Sequence, residues 1–199
     1  MTDQRFSCIN TIQHACLKTG AMDARTLKDA IFKLHTRNFG KITEIIIERT
    51  QHLSESHSLF HDLFSNQLGL RYEVKFSRVQ QKTPKIQKEK AIESILAIAQ
   101  AQRNVSFAEI DKHQFDCNIQ QIKKNEFDLL IYGLMFDDIV LIFQIPNSSI
   151  NEDVGYSNKQ HKGNEGEGQF HITEKNIAIH LENFLISKLT YEQLLKILQ

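Results

Sequence analysis

The chain has 199 residues, of which 41% are apolar, and its 24 basic side chains are balanced by 24 acidic ones. That length suits one domain with a real core, and the zero net charge excludes nucleic-acid binding driven by overall charge alone. Cys8, Cys16 and Cys117 are an odd set without ligand spacing, which excludes a disulfide framework or a cysteine zinc site.

The polar start "MTDQRFSCIN" has no signal-peptide core, and no apolar run is long enough to span a bilayer. A cytoplasmic protein with no membrane segment is expected. In chain order, Phe6, Ile9, Ile12, Cys16 and Leu17 recur at helical spacing, with Gly20 as a stop. Leu27, Ile31 and Leu34 mark a second helix, capped by Asp23 and ended by Gly40. Ile42, Ile45, Ile46 and Leu53 mark a third, with Glu44 and Glu48 four residues apart on one face.

The pattern then changes. Ser54 to Ser58 is a polar loop, "LFHDLF" (59–64) a short apolar stretch, and "NQLG" (66–69) a turn. In "RYEVKFSR" (71–78) Tyr72, Val74 and Phe76 alternate with Glu73, Lys75 and Ser77, the period of a strand with one apolar face. A helix is predicted from Pro84 through Arg103. "NVSFAEI" (104–110) and "FDCNIQQI" (115–122) are candidate strands. "FDLLIYGLMF" (127–136) and "DIVLIFQIP" (138–146) are continuously apolar, as central strands covered on both faces should be. A long polar loop occupies 147–168, "NIAIHLENFLISK" (176–188) is ambiguous between strand and helix, and Thr190 with Gln193 is a capping box opening a last helix.

The expected architecture is therefore α/β (α+β): an N-terminal helical segment (1–54), a sheet core (55–146), then a recognition loop and C-terminal elements (147–199), with a central mixed β-sheet flanked by helices.

The chemistry concentrates at the start of the sheet. Ten residues with a turn separate Asp62 from Glu73, so "LFHDLF" folding antiparallel to "RYEVKFS" would set the two acids across from each other. Converging carboxylates repel unless a cation lies between them, and Mg2+ is commonly held by one or two carboxylates plus substrate phosphate. Lys75, on the Glu73 face, would orient the attacking water or offset charge on phosphorus.

This D-x10-E-V-K arrangement resembles the PD-(D/E)xK signature of type II restriction endonucleases, with His61 where the motif's proline would stand. The resemblance implies a restriction-endonuclease-like fold and Mg2+-dependent cleavage of double-stranded DNA at a short sequence. It gives Asp62 and Glu73 as metal ligands, Lys75 as catalytic lysine and an assisting acid from the preceding helix, Glu48 or Glu44. It also implies a partner methyltransferase. A chain this short covers half a palindromic site, so a homodimer is expected.

Arg78 and Lys82 belong to a basic stretch suited to phosphates. Asn158, Lys159, Gln160, His161, Lys162, Asn164 and Gln169, set among glycines, have the side chains that read base edges. "CNIQQIKKN" (117–125) is a lesser candidate for DNA contact. His161, His171 and His180 with Asn164 and Asn176 have poor spacing for a ββα-metal nuclease. No Walker, dinucleotide or G-x-S-x-G element occurs. The alternatives are a non-catalytic DNA-binding protein and a repair or recombination nuclease of the same superfamily.

Overall fold

The computed structural model describes residues 22–82, 85–101, 103–158 and 167–199. The first predicted helix and most of the glycine-rich loop lie outside the described residues.

Helix α1 (Ala24–Lys33) starts at Asp23, whose carboxylate accepts from the Thr26 N–H at 2.6 Å. Helix α2 (Thr36–Gln51) follows after a break at Leu34, which is extended (ψ 139). The expected stop at Gly40 is thus wrong: α2 runs through it. The break is stabilised from elsewhere in the chain, because the Arg78 guanidinium donates to the carbonyls of Ile31 (3.1 Å) and Leu34 (2.7 Å) and occupies the end of α1.

The main sheet has six strands in the order β1-β2-β3-β5-β6-β9. They are β1 (Ser54–Glu55), β2 (Leu63–Ser65), β3 (Leu70–Arg78), β5 (Leu129–Met135), β6 (Ile139–Pro146) and β9 (Leu185–Thr190). Only β3 and β5 run parallel; the other neighbours are antiparallel, so the sheet is mixed. β4 (Asp116–Ile122), β8 (Gly168–Thr173) and β7 (Tyr156–Ser157) form a second, three-stranded antiparallel sheet.

Side-chain alternation sends the two faces of the main sheet into two cores. Tyr72, Val74, Ile131, Met135, Val140 and Ile142 pack with Leu27 and Ile31 of α1, Phe39, Ile46 and Ile47 of α2, and Tyr191 and Leu194 of α5 (Tyr191–Leu198). Leu130, Tyr132, Leu134, Leu141, Phe143 and Ile145 pack with Cys117, Ile119 and Ile122 of β4 and with Tyr156, Phe170 and Ile172 of β7 and β8. The second core contains a buried hydrogen bond, 2.7 Å between the Tyr132 hydroxyl and His180 Nδ1. Burial pushes the His180 imidazole down to about 4.

Three expectations change in detail. The helix expected from Pro84 is a 3-10 turn (Lys88–Lys90) leading into α3 (Ala91–Gln100). "NVSFAEI" is not a strand. Asn104 makes one isolated bridge, and Phe107–Lys112 is a 3-10 helix held by the Asp138 carboxylate, which accepts from Ser106 Oγ and the N–H groups of Phe107 and Ala108. The loop from 147 carries short 3-10 turns and β7, so it has structure of its own. The ambiguous C-terminal stretch resolves into both alternatives, helix α4 (Ile177–Asn183) and then β9. The capping box at Thr190 and Gln193 forms as expected. No helix among the described residues is long and apolar enough to cross a membrane.

Candidate active site

The site begins with a turn. Gly69 sits at φ +67, a conformation natural to glycine, and its N–H bonds the Ser65 carbonyl at 2.8 Å, folding β2 back on β3. The register pairs Leu63 with Tyr72. Asp62, one residue before β2, therefore lies across from Glu73. Its N–H donates to the Tyr72 carbonyl (3.0 Å), and its Oδ2 accepts from the Val74 N–H (2.8 Å).

Those two backbone bonds fix the carboxylate at the β3 edge. Lys75 Nζ lies 3.5 Å from the same Oδ2 and also pairs with Glu73 Oε1. Asp62, Glu73 and Lys75 thus meet, and all three line one cavity of about 220 Å³.

The cluster holds two acids to one ammonium. Burial, aided by the Asp62 carboxylate and opposed by Lys75, pushes the Glu73 carboxyl up to about 7. Burial opposes the charge on Lys75 as well, but attraction to Glu73 and Asp62 outweighs it and holds the ammonium above its ordinary value. Near neutral pH the Glu73 carboxyl is therefore close to its midpoint while Lys75 stays charged.

Of the two candidate helix acids, Glu44 is the one near the site. Its carboxyl is raised by burial and next by the charge of Asp62, and Lys75 is among the groups that act on it. Glu44 also pairs with Lys41 at 3.2 Å. Glu48 lies one turn farther along α2, and its carbonyl accepts from the Leu53 N–H. Among the described residues no hydrogen bond or ion pair ties its side chain to the cluster.

Among the described residues no three His, Cys, Asp or Glu side chains are grouped to cage a metal. The donor set at the site is two hard carboxylate oxygens facing an open cavity, with one positive charge too few. That fits Mg2+, which keeps part of its coordination for water and phosphate.

The expected DNA-contacting residues divide. Arg78 caps α1 and lies over the Phe39 ring (3.9 Å to the centroid), so its guanidinium is engaged within the fold. Lys82 is half exposed and 3.9 Å from Glu174. Asn158 is exposed, whereas Gln169 is buried in β8 (7% exposed) and is corrected from a groove-entering loop residue to an interior one. Lys159, Gln160, His161, Lys162 and Asn164 lie outside the described residues.

Beyond the expected catalytic residues, the cavity wall also carries His61, Gln121, Lys123, Glu126 and Glu167. Gln121 and Lys123 fall in "CNIQQIKKN", where the polar composition was the available signal. His61 and Glu126 carry no signal that separates them from surface residues.

No protein-family model matches the chain, and no curated protein matches it significantly.

Proposed function

We propose that the chain is a Mg2+-dependent deoxyribonuclease that hydrolyses phosphodiester bonds of double-stranded DNA at a short sequence, in the manner of a type II restriction endonuclease. The observation that carries this reading is the convergence of Asp62, Glu73 and Lys75 from adjoining strands on one open cavity. Such a trio suits phosphoryl chemistry, in which charge stabilisation and positioning supply most of the rate.

In this mechanism Asp62 and Glu73 would hold Mg2+, which would supply positive charge to the phosphate and lower the pKa of water. Asp62 is kept in place by the Tyr72 carbonyl and the Val74 N–H, so its carboxylate is oriented before substrate arrives. Lys75 orients the attacking water and offsets charge building on the phosphate oxygens. Glu44, at the edge of the cluster, assists as a further acid. Lys123, on the cavity wall, offers a cation to the DNA backbone. A homodimer would place one site on each strand of a palindrome, and a methyltransferase would protect the host's own sites.

The test is incubation of the protein with plasmid and Mg2+. Discrete fragments that vanish with EDTA and with Lys75→Ala support the nuclease, and Glu73→Gln and Asp62→Asn should bind DNA without cutting it. Nicking at damaged or branched DNA would indicate a repair or recombination enzyme. A mobility shift with no cutting under any metal would overturn the catalytic reading in favour of a DNA-binding protein.

A further inference from the structure

A second cavity, of about 340 Å³, lies against the first, and Lys75 and Gln121 line both. It opens where β3 loses its neighbour. β2 pairs with Leu70 to Tyr72, so among the described residues no strand pairs with that edge of β3 from Glu73 onward. The cavity fills this gap between β3, the start of α2 and β4. Its floor is apolar, with Phe39, Phe76 and Ile119, and its rim carries Arg37, Gln120 and Gln121.

The rim is shaped by an irregularity in β4. Ile119 pairs with Phe170 and Ile122 with Gly168, so two residues, Gln120 and Gln121, stand opposite one. Gln121 has φ +62, a conformation disfavoured for any residue with a side chain. The bulge brings both glutamines to the rim, where an uninterrupted strand would send neighbouring side chains to opposite faces. Among the described residues neither carboxamide has a partner. Asn118, in the same wall, has a buried carboxamide oxygen that also lacks one.

We infer that this cleft is the subsite for the nucleotide next to the cleaved phosphate. This rests on the nuclease reading and extends it by assigning the residues that choose sequence at the cut. A base edge meets the carboxamides of Gln120 and Gln121, which offer a donor and an acceptor side by side, the pattern that matches adenine. Arg37, exposed at the mouth, takes the adjoining phosphate. The positive φ at Gln121 turns this residue to the wall that the two cavities share with Lys75.

The test is to digest a library of randomised duplexes with Mg2+ and sequence the cut ends. Gln121→Gly removes the side chain and suits the positive φ, so the fold is kept; Gln120→Ala is the second variant. Each should relax the preference at one position beside the cut by about tenfold or more among the products formed, whatever the overall rate. Arg37→Ala should weaken binding to all sequences alike and lower the salt dependence by about one phosphate contact. If the native protein cuts and both glutamine variants leave its sequence profile unchanged, the subsite is overturned and the nuclease reading stands. If the native protein leaves the library intact, the nuclease reading falls and the subsite with it.

Discussion

Glu73→Gln should make the protein more stable above neutral pH, even though it removes a residue central to the proposed chemistry. Glutamine imitates the neutral acid in size and shape. The Glu73 carboxyl titrates near 7 in the folded protein against an ordinary 4.5, chiefly because it is buried. Only 13% of its side chain is exposed, so solvent screens little of the cost. A raised carboxyl contributes stability that is fully present below about pH 4.5 and is lost as pH rises through about 7. At about 1.4 kcal/mol per pH unit, full ionisation costs the fold about 3 kcal/mol.

Glu73→Gln escapes that cost. It should match the native protein near pH 4 and exceed it by up to about 3 kcal/mol near pH 8, or about 6 to 12 °C in melting temperature for a chain of this size. Urea titrations of both proteins at the two pH values measure the difference. Millimolar Mg2+ at the higher pH should then narrow the gap, because a ligand that binds only the folded native site stabilises it by mass action. A variant no more stable than the native protein near pH 8 would refute the claim that the site carries a buried, undercompensated carboxylate.

Other outcomes are expected elsewhere. Burial holds His180 near 4, so stability should fall as pH drops from about 6.5 towards 4, by up to about 3 kcal/mol, opposite in sign to Glu73 over an overlapping range. Denaturant titrations of Glu73→Gln, in which the opposing slope is gone, should expose this acid-side loss directly. Asp128 accepts from the N–H, Nε and Nη2 of Arg71, which holds its carboxyl down to about 2. Asp128→Asn should cost about 1 kcal/mol at neutral pH, a figure discounted for the exposure of the pair, and the difference should fade as pH falls from about 4 towards 2. A side chain at Gly133 would overlap the Phe76 ring across the β3–β5 pair, so Gly133→Ala should lower the denaturation midpoint by the equivalent of about 1 to 3 kcal/mol.

Local pattern was enough for the strands that build the site. The alternation around Tyr72, Val74 and Phe76 and the turn at Gly69 are properties of neighbouring residues, and so is the placement of Asp62 opposite Glu73. The apolar runs of β5 and β6 were legible for the same reason, since a strand covered on both faces has little else to contain. Periodicity did not locate the break at Leu34, because the group that stabilises it, Arg78, comes from a strand 44 residues later. That contact also engages within the fold a guanidinium that belongs to the basic stretch in sequence. Glu44 and Glu48 share a helix face, so spacing alone left them equivalent, and only the packing of α2 against β3 brings one nearer to Asp62.

The sequence by itself determined the mixed α and β character, the hairpin and the three charged side chains that meet on it, because each depends on residues close along the chain. The tertiary structure decided which helix acid joins them, how deeply Glu73 is buried, and that a bulge in β4 brings Gln120 and Gln121 to the same cleft. Those features arise where distant segments pack, and the desolvation and strain they create belong to the assembled neighbours rather than to any one stretch.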